Sequence, residues 1–148
     1  MQQFEEQYRR LGMEVPPPGA DLYLKSQAIY NAACVKLGLH PGIIGEPSTD
    51  IPQKYKNAGQ AFYQMMIIRD ALVDNKEADW NDGSEEKYGP WFYLNKPGFR
   101  LDVVGYGWSL SGTGTGSRLC TFSEEDGEFF ATECIALWAD FMGGKLPK

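Results

Sequence analysis

Trp91-Phe92-Tyr93-Leu94-Asn95-Lys96-Pro97-Gly98-Phe99-Arg100-Leu101-Asp102-Val103 reads as strand, turn and strand, and it decides the fold class. In an extended chain Trp91 and Tyr93 fall on one face, Phe92 and Leu94 on the other. Lys96-Pro97-Gly98-Phe99 places proline and glycine in the central positions of a type II turn. Phe99 to Val103 alternates apolar and charged residues, the pattern of a half-buried strand. Gly105-Tyr106-Gly107-Trp108 extends or bulges it. Ser109 to Gly116 is a loop, and Ser117 to Phe122 a third strand with Arg118, Cys120 and Phe122 sharing a face. Strands in this sequence order form a meander most economically. Helical patterns flank them on both sides. The expected class is therefore α+β: N-terminal helices, a three-stranded antiparallel β-meander, and a C-terminal helix packed on the sheet.

Downstream, Ser123 is a good N-cap, and Glu124, Glu125 and Asp126 suit the positive end of a helix dipole. Phe130, Cys134, Leu137, Trp138 and Phe141 continue that helix as one apolar stripe, and Gly143-Gly144 ends it. Upstream, Ala20 to Leu37 reads as a helix with Asp21 at its start and Gly38 as its stop. Its stripe of Ala28, Ile29, Ala32 and Ala33 suits close helix approach. Leu39 to Pro47 is a loop whose Ile43 and Ile44 are expected to plug the core. Ser48-Thr49-Asp50 offers caps for a helix running to about Val73, with Tyr55, Ala58, Phe62, Met65 and Leu72 at helical spacing and Met66, Ile67 and Ile68 widening the arc. Phe4 to Leu11 makes a short helix, followed by the stiff spacer Pro16-Pro17-Pro18. This arm either packs on the domain or reaches a neighbouring subunit. The boundaries follow: an N-terminal arm over residues 1–19, a single domain over 20–143, and a short tail over 144–148.

At 148 residues, 43% hydrophobic and 14% aromatic, the chain has the length and apolar content for one folded domain. It has no apolar run of the roughly 18 residues that a membrane helix needs. The start, Met1-Gln2-Gln3-Phe4-Glu5-Glu6, shows neither a basic nor an apolar leader region. A cytoplasmic location is the default expectation, although a protein packaged into a virus particle would look the same. The net charge of −6 argues against general nucleic-acid binding, which depends on neutralising phosphates. The excess is uneven: 7 Lys/Arg face 8 Asp/Glu up to Asp74, and 7 face 12 beyond it. Three dispersed cysteines (Cys34, Cys120, Cys134) and a single histidine, His40, leave no usual zinc site and no histidine-based triad. Asp79-Trp80-Asn81-Asp82-Gly83 fails as a calcium loop, because its glycine comes one position early and Pro90 stands where the bidentate glutamate belongs. An Asx-type turn accounts for it better. No metal and no cofactor are expected.

The candidate contact residues cluster between Trp80 and Thr121. Gly112-Thr113-Gly114-Thr115-Gly116 could cradle an anion through backbone N–H groups, with Thr113 and Thr115 adding hydroxyls and Arg118 the charge. It lacks the Gly-Lys-Ser/Thr ending of a P-loop. Tyr106 and Trp108 could stack on a base beside Arg118. Arg100 and Arg118 both lie on expected strands, where a long cation needs a partner, and Asp102 is a plausible one if their strands are neighbours; Trp80 borders the same segment. No catalytic residue is expected: the paired acids lie on a solvated run, Ser117 has no base to activate it, and the strand position of Cys120 favours burial.

Trp80-Asn81, Lys87-Tyr88-Gly89-Pro90-Trp91-Phe92, Gly98-Phe99, Gly116-Ser117-Arg118-Leu119-Cys120 and Ser123-Glu124 occur in an order that resembles one family. It consists of short uncharacterised proteins of phages, prophages and mobile elements of Bacteroides-type gut bacteria. The resemblance spans Leu24 to Met142. It implies a phage or mobile-element origin, a location in the bacterial host cytoplasm with the virion as the alternative, and a role at the virus–host boundary or in the particle, and it carries no catalytic residues. The expected function is a non-enzymatic binding protein contacting a host or phage protein, an inhibitor of host defence being one form, or a small ligand. The alternatives are a virion component using the N-terminal arm, and a nucleotide or signalling-molecule binder using Arg118 and the Gly-Thr loop. Self-association stays open.

Overall fold

The structure is a computed structural model that describes residues 3–46, 49–107 and 118–147. In chain order its elements are α1 (Glu5–Arg10), α2 (Leu22–Leu37), a 3-10 turn (Pro41–Ile43), α3 (Gln53–Leu72), β1 (Lys87–Tyr93), β2 (Arg100–Gly107), α4 (Glu124–Glu133) and α5 (Ile135–Met142). The class is mixed α+β. α2, α3 and α5 pack on one another, while α4 packs against the antiparallel pair β1–β2. Among the described residues no helix is long and apolar enough to cross a membrane.

Local chemistry sets several helix ends. The Asp21 carboxylate accepts from the Leu24 N–H at 2.9 Å, and Gly38 closes α2 in the left-handed region at φ 71°, letting the Leu39 N–H reach the Cys34 carbonyl at 2.8 Å. Ser123 caps α4 by accepting from the Asp126 N–H. α3 departs from expectation: it begins at Gln53 behind Pro52 with no side-chain cap, and its buried residues concentrate in its second half, leaving Tyr55 exposed. Ile44 packs on the core, but Ile43 is exposed because the 3-10 turn rotates it outward.

The C-terminal helix is two helices rather than one. Cys134 leaves helical geometry (φ −107°, ψ 23°), and the chain turns there so that the Trp138 indole N–H donates to the Phe130 carbonyl at 3.1 Å. The break sends Phe129 and Phe130 of α4 and Trp138 of α5 into one fully buried cluster. Each such side chain stabilises the fold by roughly 1.5–3 kcal/mol. α4 lies along the sheet, while α5 joins the helical layer and reaches the sheet through Trp138.

The sheet also differs from the expected meander. Two strands are present among the described residues, and Thr121 adds an isolated antiparallel bridge to Tyr88, with reciprocal hydrogen bonds of 2.9 and 3.0 Å. Thr121 thus borders β1, not β2, and Arg118 and Leu119 lie in a turn. The anticipated loop 109–116, with Ser117 at the start of the third strand and Ser48 as a cap, falls outside the described residues.

The segments near both ends of the described chain are tied down. Tyr8 is fully buried edge-on to Phe129, its hydroxyl donates to Glu133 at 2.7 Å, and Arg10 donates to the Leu72 carbonyl at the end of α3. Gln7 and Arg10 both reach Asp126 in the first turn of α4. At the other end, the Lys145 carbonyl accepts from the Phe99 N–H, Gly144 lies against the Phe99 ring, and Leu146 packs on the core.

Candidate functional site

The β1–β2 hairpin has two faces made from one alternating sequence. Tyr88 pairs with Tyr106, Pro90 with Val104 and Trp91 with Val103; the register then shifts, so that Phe92 pairs with Leu101 and Tyr93 with Arg100. Asp102 is the extra residue, a β-bulge in β2. On the inner face Pro90 and Val104 are buried, and α4 comes so close that a Cβ on Gly127 would sit 2.7 Å from a Val104 methyl. Phe92 stacks on Phe99 at 4.5 Å and meets Trp138 at 5.4 Å.

The outer face is apolar and open. Trp91 is 65% exposed, Val103 51% and Tyr93 44%, with Leu94 at 57% just past the strand. Backbone pairing puts Trp91 beside Val103, and the Trp91 ring lies over Gly105, where a Cβ would come within 3.1 Å of the indole Nε1. The Arg100 guanidinium sits 4.4 Å from the Tyr93 ring centre and donates to the Gly98 carbonyl at 2.9 Å. Arg100 is held by the turn and the ring, not by Asp102, because the bulge breaks the alternation that would have aligned them. The turn itself runs Asn95–Gly98, closed by the Gly98 N–H to the Asn95 carbonyl, with a cis Lys96–Pro97 bond in place of the expected type II geometry.

No protein-family model, curated protein or solved structure matches this chain. Its site must be read from its own geometry.

At the Lys87 end the sheet is covered. Trp80 is half-buried with the Lys87 ammonium 5.0 Å from its ring, and Glu85 lies 3.3 Å from Lys87 and 3.2 Å from Lys76. The Asp79 N–H donates to Glu85 and, with the two lysines, holds that carboxyl below its ordinary range. Lys76 also sits 4.1 Å from the Phe122 ring, which Arg69 approaches from α3. Arg69 is 4% exposed and donates to the Cys120 carbonyl at 2.7 Å. Burial pushes the Cys120 thiol up, with Arg69 only partly opposing it, so the neutral thiol is favoured. Asp79 and Asp82 accept from the N–H groups of Asn81 and Ser84, which makes Asx turns. No group of three or more His, Cys, Asp or Glu able to hold a metal occurs among the described residues.

The residues singled out from sequence are not gathered into one site. Tyr106 is 59% exposed at the end of β2, tilted against Tyr88 at 5.8 Å. Arg100 lies at the opposite end of β2, Trp80 is committed to Lys87, and Arg118 is exposed in a turn rather than on a strand. Trp108, Thr113 and Thr115 lie outside the described residues. Cys120 is buried, so it does not share an exposed face with Arg118. Sequence reasoning missed Trp91, Tyr93 and Val103 as surface residues, and Arg69 as a buried clamp. The alternation of Trp91 and Tyr93 against Phe92 was the available signal; it separates the faces without saying which one is covered.

Proposed function

We propose that this is a non-enzymatic binding protein of phage or mobile-element origin that docks on a host or phage protein through the outer face of its hairpin. The observation that carries this reading is the exposed set Trp91, Tyr93 and Val103 on a hairpin whose other face is locked to the core. Rigid aromatics lose little conformational freedom on contact and dominate the energetics of protein interfaces. The 7-to-12 imbalance of cationic to acidic residues beyond Asp74 favours a partner with an apolar centre and a basic rim. The N-terminal arm is a weaker candidate for the contact, because Phe4, Tyr8, Leu11, Met13 and Val15 already pack on the core.

The test is capture from host lysate with a tagged protein, followed by rebinding of the purified, identified partner. Trp91→Ala and Tyr93→Ala should each weaken that purified complex by at least about tenfold, as loss of an interface anchor does. Full affinity in the Trp91→Ala, Tyr93→Ala double variant would remove the hairpin face as the site.

A further inference from the structure

A groove of about 330 Å³ opens between α2, α3 and α5, and none of its lining belongs to the hairpin. That volume is at the small end of ligand sites, which run about 300–1,000 Å³. Its walls carry polar groups with no structural use. Ser26 is 2% exposed, and its hydroxyl oxygen has no hydrogen-bond partner among the described residues. A buried hydroxyl left unpaired is costly, which makes it a pointer to a missing partner. Asp140, on the facing helix α5, likewise has no ion-pair or hydrogen-bond partner among the described residues. Gln60 and Gln64, one turn apart on α3, line the same space.

Among the described residues the lining includes one carboxylate, several neutral acceptors and no Lys, Arg or His. An anion would meet an uncompensated negative charge. A divalent metal would want several oxygen ligands at fixed distances, and one carboxylate is a poor cage. An alkylammonium fits: it has three donors and no acceptor, and its methylenes can lie on Ala61 and Leu137 of the lining.

We propose that this groove binds a primary ammonium group on a short aliphatic chain, with Asp140 as counter-ion, Ser26, Gln60 and Gln64 as further acceptors, and the Tyr23 ring flanking the cation. Tyr23 lines the rim and is 56% exposed, free to lie against an incoming charge. Burial holds the Asp140 carboxyl above its ordinary range, so its ionised form carries a desolvation cost that a bound cation relieves. The ammonium could come from a free small amine or from a lysine side chain; the chemistry at the groove is the same.

Calorimetric titration of the full chain with putrescine, cadaverine and Nα-acetyl-lysine-N-methylamide tests this, with n-butanol and glutarate as neutral and anionic controls. The amines should bind saturably and the controls should not. A preference for the lysine derivative would assign the source to a protein side chain, and a preference for the diamines to free amines. Asp140→Asn should weaken amine binding by at least about tenfold, and Ser26→Ala by a smaller factor. Absence of saturable amine binding overturns the proposal, as does equal binding of butanol or an unchanged affinity in folded Asp140→Asn. Because the controls alter the ligand rather than the protein, they decide the matter even if a variant fails to fold. Trp91→Ala should leave amine affinity unchanged, so failure here is separable from failure of the hairpin reading.

Discussion

Trp91 and Phe92 are adjacent aromatics in one strand, yet the fold treats them oppositely. Phe92 is sandwiched with Phe99 and Trp138, whereas Trp91 is 65% exposed over a glycine. The difference is not composition, since both faces of the hairpin are apolar. It lies in what each face meets: α4, α5 and the C-terminal tail cover one, while on the other, among the described residues, Trp80 covers the Lys87 end and Trp91 stays exposed. A face that contributes little to folding but keeps its aromatics is the feature that calls for a partner.

The largest test of this contrast is Phe92→Ala. Removing a ring that bridges Phe99 and Trp138 should cost about 3 kcal/mol of unfolding free energy, read as a lower denaturant midpoint at unchanged slope. A cost no greater than that of Trp91→Ala would erase the distinction between the faces.

Next comes the fit of the hairpin to α4. Gly127→Ala places a methyl 2.7 Å from Val104 and 3.2 Å from the Thr121 hydroxyl, contacts that neither side can easily yield. Overpacking of this kind costs about 1–3 kcal/mol, against a gain of up to about 1 kcal/mol in helix propensity. The net loss should vanish or reverse in a Val104→Ala background, where the colliding methyl is gone. A thermodynamic cycle with no coupling between the two positions would mean that α4 does not set the inner face.

Several of these contacts were legible in the chain, and the reason others were not is physical. Asp21, Gly38 and Ser123 act through neighbours three to five residues away, so their caps can be read locally. The break at Cys134 cannot, because it interrupts a continuous apolar stripe and serves a Trp138–Phe130 bond that exists only after folding. The bridge between Thr121 and Tyr88 is likewise a tertiary choice: a meander would have put that segment beside β2. Arg69 reads as a polar interruption of an apolar helix, but its partner is a carbonyl 51 residues onward. For the candidate site, Arg100 and Tyr106 stand out in the sequence as a cation and a ring in one strand, while the alternation that gives Trp91 and Tyr93 a shared face does not say whether that face is covered.

A smaller effect concerns the covered end of the sheet. Glu85 has a depressed pKa in the folded protein, held first by the Asp79 N–H and then by Lys76 and Lys87. Its contribution is present above the ordinary carboxylate pKa and lost as pH falls through the lower folded value. Acid should therefore loosen the segment from Lys76 to Lys87 before the core melts, seen as a fluorescence change in a Trp91→Phe, Trp108→Phe background, where Trp80 reports this segment and the one other tryptophan, the buried Trp138, reports the core. Glu85→Gln should be loosened already at neutral pH and show less of that acid step; an identical acid step in both proteins would assign it to other carboxyls, such as Asp82, whose pKa Ser84 also lowers.

The smallest expected change says the most about function. Trp91→Ala should shift stability by less than about 1 kcal/mol, because the ring is mostly in water and its contacts are with Gly105 and Val103. Set beside the loss expected for Phe92→Ala, that near-neutrality would show that Trp91 is not retained for the fold. The two readouts then diverge at a single residue: little change in the denaturation midpoint, and at least about tenfold in affinity for the captured partner. A Trp91→Ala protein that is strongly destabilised would make the outer face structural after all, and its aromatics would need no partner to explain them. One that is stable and binds normally would leave the exposed tryptophan without a role in contact, and the search for the docking surface would move to Tyr106 at the far end of β2.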